Sequence, residues 1–202
     1  MSLLGNAHEK IVFTRRVAVI AGHLSKLLPP GSKVLDIGCG NGLIDYLIMQ
    51  QRPDVSITGL DVLVRDKTFI PVSSFDGEMA PYEDESYDCV LFVDVLHHDK
   101  NPVNLLKEAR RVSKSAIIIK DHVDKGLFAN VTLRFMDWVG NVRFGVNLPY
   151  NYWAEHEWRK KLADLSLSIE YWNPKVGLYP YPASLLFDRS LHFIAKLKKV
   201  DI

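Results

Sequence analysis

Cysteine is scarce: Cys39 and Cys89 are the only two in 202 residues, and they lack CxxC spacing. That excludes a disulfide framework and makes a cysteine-built zinc site a poor expectation. Two free thiols suit a reducing compartment. No apolar run approaches the ~18–20 residues of a membrane span. Residues 1–10 lack the apolar stretch and cleavage site of a secretory leader. The expected location is therefore cytoplasmic, with no membrane partner. Charge of one sign is missing as well, since 25 Lys and Arg face 24 Asp and Glu, a formal net charge of +1. Without a basic stripe there is little phosphate attraction, so no nucleic-acid partner is expected. Residues 196–199 carry three lysines and read as a solvated chain end. Internal repeats and low-complexity linkers are also lacking. What remains is ordinary: 48% hydrophobic and 24% charged residues, the balance of a globular protein long enough for one large domain.

The apolar pattern alternates between two periods. Residues 11–28 place Val12, Phe13, Ile20, Leu24, Leu27 and Leu28 at roughly helical spacing, and Pro29-Pro30-Gly31 ends that helix. Residues 33–37 form a short apolar run that enters a glycine-rich loop. Leu43, Ile44, Leu47 and Ile48 then return to helical spacing. Further strands are expected at 55–60, ending at Asp61; at 70–75, ending at Asp76; at 87–93; and at 115–120. Val90-Leu91-Phe92-Val93 is apolar throughout, as a strand buried on both faces should be. Asn101 reads as an N-cap, with Pro102 at the first helical position and Leu105, Leu106, Ala109 and Val112 behind it. Leu127, Phe128, Val131, Phe135, Trp138 and Val139 form a broad helical stripe, and another helix spans about 155–165.

Strands at 167–172 and 191–197 close the chain with no convincing helix between them. They suggest an antiparallel hairpin at one sheet edge. Strands alternating with helices imply a doubly wound α/β fold with a mainly parallel sheet of seven strands and helices on both faces. Only residues 62–69 separate the second and third strands, too few for a full crossover helix, so the topology is least defined there.

The strongest local signal is Val34-Leu35-Asp36-Ile37-Gly38-Cys39-Gly40-Asn41-Gly42. A chain leaving a buried strand must turn sharply and let a ligand approach its backbone, and glycine permits both. A dinucleotide fingerprint needs Gly-x-Gly-x-x-Gly, but position 43 is Leu. The loop resembles the first motif of class I S-adenosylmethionine-dependent methyltransferases. The resemblance continues through Thr58-Gly59-Leu60-Asp61, Phe75-Asp76-Gly77 and the run from Ser86 through Asp94 to Leu96-His97-His98. It covers roughly residues 33–119 well, and four ordered motifs are far more specific than the loop alone.

The resemblance implies the Rossmann-like methyltransferase fold, S-adenosylmethionine as methyl donor and in-line transfer to an acceptor. It implies cofactor contacts at Asp36, Gly38, Gly40, Asp61, Val62, Asp76, Gly77 and Val93. Gly38 and Gly40 would let the backbone approach the amino acid moiety, and Asp36 would orient that loop. Asp61 would hold the ribose. Asp76 would accept from the adenine amine, with Gly77 donating a backbone bond nearby; Asp76 reads equally as a turn carboxylate.

A sulfonium donor is already activated, so the protein has to align the acceptor, exclude water and, for some acceptors, remove a proton. Candidate catalytic groups are Asp94, His97 and His98 after the fourth strand and His122 after the fifth, with Asp121 beside it. His is the natural general base. The Asp121-His122 pair departs from the Asp-Asn pair of magnesium-holding relatives, so no metal is expected. The domain is expected to span 1–202, with 1–30 as a helical lid. Segments within 140–190 are expected to line a pocket for a small, apolar or aromatic acceptor. Phe144, Tyr150, Tyr152, Trp153, Trp172, Tyr179, Tyr181 and Phe187 supply its aromatic content, which serves equally well as a core that seals the sheet edge. Two rival functions remain: a non-catalytic module that binds S-adenosylmethionine, and, less favoured, a dinucleotide-dependent oxidoreductase. The oligomeric state is not encoded in any of these features.

Overall fold

The computed structural model describes the backbone of residues 3–141 and 149–200, and the side chains of 13–139 and 149–200. The expectation for Phe144 lies outside the described residues. Seven strands form one sheet: β1 (Lys33–Ile37), β2 (Ser56–Asp61), β3 (Val72–Ser74), β4 (Tyr87–Val93), β5 (Ser113–His122), β6 (Leu167–Asn173) and β7 (His192–Lys199). Their spatial order is β3-β2-β1-β4-β5-β7-β6. The first five are parallel, while β7 runs antiparallel to both β5 and β6. The expected edge hairpin is therefore threaded: β7 lies inside the sheet and β6 forms the edge. The chain order reverses between β1 and β4, and open α/β sheets bind ligands at the carboxyl ends of strands flanking such a reversal.

Alternation within the strands builds two cores. Val90 and Phe92 of β4 face one side, where they meet α3 (Pro102–Val112) and α5 (Glu155–Asp164) through Leu105, Leu106, Trp158 and Leu162. Cys89 and Leu91 face the other side. There α1 (Leu3–Leu27) and α2 (Leu43–Gln51) contribute Ile20, Leu24 and Ile48. Each strand serves both cores, which explains the unbroken apolar run at 90–93.

Three expectations change. Strand β5 runs on to His122, because Asp121 and His122 pair in register with Phe193 and His192 of β7. These two residues are strand residues and not loop residues. Asn101 occupies the N-cap of α3, but its side chain makes no capping bond. Its own amide donates to Asp99 Oδ1 at 2.6 Å instead. A four-residue helix, α6 (Ser184–Phe187), lies between β6 and β7, too short to show a periodicity.

The stripe at 127–139 does form a helix, α4 (Ala129–Asn141), and its first members lie just before it. The stripe, however, faces outward. Ala129, Leu133 and Asp137 are buried, and all six stripe residues are exposed. Among the described residues no helix is long and apolar enough to cross a membrane.

Candidate functional site

The glycine loop leaves β1 at the switch point and folds back over β2. Gly38 and Cys39 donate backbone bonds to the Leu60 carbonyl at 2.7 and 3.3 Å. Gly38, Gly40 and Gly42 all have positive φ, at 79°, 60° and 72°. Their surroundings differ. A Cβ on Gly38 would lie 2.6 Å from Val95 Cγ2, and one on Gly42 would lie 2.3 Å from Ile70 Cγ1. These two glycines are held by packing. A Cβ on Gly40 would meet nothing within 4 Å. Gly40 thus faces open space at the carboxyl end of the sheet, with its amide bonded to Asp61 Oδ2 at 2.7 Å.

Asp61 spans this space. Its second oxygen, Oδ1, accepts the Leu63 amide at 2.8 Å. Two backbone donors fix the carboxylate, which retains lone pairs for further donors. Asp76 uses Oδ1 to accept the Glu78 and Met79 amides at 2.8 and 3.0 Å, which holds the turn and keeps its carboxyl below the usual range. The turn role weighed for Asp76 is present in the geometry. Gly77 has φ 87°, and a Cβ there would lie 3.2 Å from Val62 Cγ1. Val62, Leu63, Phe69 and Met79 are exposed around this end of the sheet, supplying apolar surface.

Beneath the loop Asp36, expected there, is joined by Asp45, which the sequence reading missed. Asp36 and Asp45 are buried, and three of their four carboxyl oxygens have no hydrogen-bond partner among the described residues. Burial pushes both carboxyls up, Asp36 well above its ordinary value and Asp45 to about 7. Burial first, and then the neighbouring Asp45, disfavours charge on Asp36, so the pair resists carrying two negative charges. Burial, then the Asp36 charge, pushes the Cys39 thiol up, so it is no nucleophile.

The carboxyl ends of β4 and β5 carry a dense set of titratable groups. Asp94 has φ 57°, outside the comfortable range of a non-glycine residue. Its carboxylate is held between the Arg16 guanidinium of α1 and the Lys120 ammonium of β5. Burial opposes its charge, but the two cations hold the carboxyl well below the usual range. Arg16 is therefore not on a solvated face. Lys120 Nζ lies 3.4 Å from His192 Nδ1, and His192 Nε2 reaches the Phe187 carbonyl at 3.0 Å. That fixes the His192 proton on Nε2, leaving Nδ1 to accept.

His97 sits between two carboxylates. Its Nδ1 lies 2.6 Å from Asp121 Oδ1, and its Nε2 lies 3.3 Å from Asp137 Oδ2 on α4. Burial alone would lower its pKa; Asp121 and then Asp137 override that and raise it to about 10. His97 is an imidazolium at neutral pH. His98 is lowered to about 4, by burial and then by the His97 cation. Burial and His97 also lower His122, whose Nδ1 lies 3.3 Å from His97 Nδ1. Tyr152 donates its hydroxyl to Asp137. Asp121 further accepts the Leu96 and His122 amides at 3.0 and 2.7 Å.

The four catalytic candidates are thus gathered at one end of the sheet in different protonation states: Asp94 anionic, His97 cationic, His98 and His122 neutral. Among the described residues two groups have ligand atoms close enough for a metal, His97 with Asp121 and His122, and His97 with His98 and Asp137. Both need His97, whose two ring nitrogens face Asp121 and Asp137 and hold their protons. A ligating histidine must first lose one.

The aromatic segments divide. Tyr152 is buried with Ala129, Leu133 and Leu191 in a third small core, its ring 5.7 Å from His97, and the partly buried Tyr150 packs against that core. Trp153 packs edge-on against Trp158 at 4.6 Å, and Trp172 stacks on Phe193 at 4.2 Å. Both tryptophans belong to the core that seals the β6 edge. Tyr179 lies between Phe187 and His192, and Tyr181 is exposed.

Comparison with known proteins agrees with this geometry. A family of methyltransferase domains matches residues 13–171. The chain is 30% identical over 112 residues to 27-O-demethylrifamycin SV methyltransferase of Amycolatopsis mediterranei, covering 49% of this chain and 40% of that protein. It is 26% identical over 111 residues to (S)-coclaurine N-methyltransferase of Thalictrum flavum, covering 49% of this chain and 31% of that one. The chain thus spans well under half the length of these relatives. Among solved structures, an S-adenosylmethionine-dependent methyltransferase from Mesorhizobium loti superposes with a TM-score of 0.63 at 15% identity, over 88% of this chain and 96% of the other. A chain from the complex of the Haloferax volcanii Trm112 methyltransferase activator with a methyltransferase gives a TM-score of 0.71 at 16% identity, over 98% and 96%. The chain belongs to the methyltransferase-domain family, within the class I superfamily whose methyl donor is S-adenosylmethionine.

Proposed function

We infer that this chain transfers a methyl group from S-adenosylmethionine to a small, largely apolar or aromatic acceptor. The observation that carries this reading is the open space in front of Gly40, bounded by the Asp61 carboxylate at the sheet's switch point. Bound there, the donor supplies an electrophilic methyl carbon on a sulfonium. Gly38 and Gly40 present backbone to its amino acid end, and the Asp36–Asp45 pair beneath them keeps negative charge near its ammonium. Asp61 accepts from the ribose hydroxyls. Val62, Gly77 and Val93 bound the site, and Asp76 has Oδ2 left for the adenine amine.

On the acceptor side the protonation states assign roles. His97 is a fixed cation and takes no proton. His98 and His122, both neutral, are the available bases, and Asp94 is the fixed anion that orients Arg16 and Lys120. Tyr150 offers an aromatic wall; Tyr152, Trp153 and Trp172 pack in the cores. Arg16 brings α1 over this end of the sheet, consistent with a lid built from residues 1–30. One relative, from Nautilia profundicola, is a tRNA U34 carboxymethyltransferase, 30% identical over 88 residues. The balanced charge of this chain favours a small acceptor over RNA.

Two outcomes test these assignments. Asp61→Ala should weaken S-adenosylmethionine binding by about ten- to hundredfold in a chain with an unchanged melting curve. A charged hydrogen bond contributes roughly 1.5–3 kcal/mol. Unchanged affinity would place the ribose elsewhere. Turnover, followed as S-adenosylhomocysteine formed with a panel of hydroxy- and amino-aromatic acceptors, should survive EDTA. Activity that vanishes with EDTA and returns with magnesium would overturn the metal-free mechanism.

A further inference from the structure

We propose that the outer face of α4 docks on an anionic lipid bilayer. The helix is amphipathic in the opposite sense from a core helix. Its buried positions are Ala129, Leu133 and Asp137. Leu127, Phe128, Val131, Phe135, Trp138 and Val139 point outward, each between 52% and 75% exposed. A packed α/β domain gains by burying such a stripe, so six large apolar side chains facing water mark an interaction surface.

The patch extends beyond one helix. Arg189 donates to the Leu186 carbonyl at 3.0 Å, the Leu127 carbonyl at 3.3 Å and Thr132 Oγ1 at 3.1 Å. These bonds clamp α6 against the first turn of α4. Leu185 and Leu186, both exposed, thereby join the ridge.

Charge on the face selects the partner. Between positions 125 and 139 the exposed residues are glycine, apolar or cationic, the cations being Lys125 and Arg134. Arg189 adds positive charge at the α6 end, though its own donors are engaged in the clamp. Asp137 and Asp188 are turned inward, where Asp137 binds Tyr152 and Asp188 accepts the Leu178 and Tyr179 amides at 3.1 and 2.9 Å, while the partly exposed Glu155 pairs with Lys125 at 3.3 Å. An aromatic and aliphatic face flanked by Arg and Lys is the make-up of a helix that lies in the plane of a membrane interface. Its rings enter the acyl boundary while Arg134 reaches headgroup phosphates. A protein partner would call for polar hydrogen-bonding groups at the rim, which this face has in short supply. The proposal stands whether or not the acceptor chemistry inferred above is correct.

The test is sedimentation of the full chain with vesicles. Vesicles of phosphatidylcholine mixed with phosphatidylglycerol should carry the chain down, and phosphatidylcholine alone should carry much less. Phe135→Ser with Trp138→Ser should lower partition at least about tenfold, since each ring loses its burial in the acyl boundary. Arg134→Glu should remove the preference for the anionic vesicles. S-adenosylmethionine affinity should stay unchanged in both variants, which shows that they are folded. Failure of the parent chain to bind either vesicle would overturn the proposal. So would a folded double variant that binds as well as the parent, or a dimer that the double variant dissociates while leaving vesicle binding intact.

Discussion

Gly40→Val should abolish S-adenosylmethionine binding, with a loss larger than that of Asp61→Ala and little change in stability relative to a Val at Gly38 or Gly42. Two effects combine at position 40. The backbone sits at φ 60°, which a β-branched residue resists. The side chain would also enter the open space that is left for the donor. At Gly38 and Gly42 a Cβ would instead collide with Val95 and Ile70, so substitution there should damage folding first. Titration calorimetry beside thermal melts separates the cases. A Gly40→Val chain that binds the donor normally would make the loop purely structural.

His97→Ala should cost about 3–5 kcal/mol of stability, because Asp121 and Asp137 lose the cation between them and remain buried. The pH dependence has a definite sign. The folded pKa of His97, about 10, lies above its ordinary 6.5. The stabilisation from its charge is therefore complete below 6.5 and lost as pH rises through 10. Chemical denaturation across that window should show the parent chain losing stability more steeply than His97→Gln. Parallel slopes would mean that His97 is neutral in the fold and free to act as a base.

Legibility in the sequence followed locality. The glycine loop and β4 are contiguous signals that the apolar pattern located, and the resemblance carried by the ordered motifs added Asp61. Gly40 and Asp61 were expected to share a site, and they meet at 2.7 Å. Groups whose partners lie far along the chain gave no such signal. Arg16 reaches Asp94 across 78 positions, and Lys120 reaches His192 across 72. A lone Arg or Lys in an apolar stretch does not reveal which acid will neutralise it. Asp45 was hidden for another reason, since on a helix it reads as an ordinary polar position until the loop folds over it. The end of β5 was misjudged because Asp121 and His122 are polar, and only pairing with β7 keeps them in a strand. The stripe of α4 shows the limit most plainly. Periodicity finds the helix and its apolar face, but not whether that face meets the core or the outside.

The central claim is that the space between Gly40 and Asp61 binds S-adenosylmethionine and not a dinucleotide. Titration calorimetry on the full chain tests it directly. The predicted result is one site per chain for S-adenosylmethionine and for S-adenosylhomocysteine, with no comparable heat from NAD or NADP. A tight NAD site with no response to S-adenosylmethionine would contradict it.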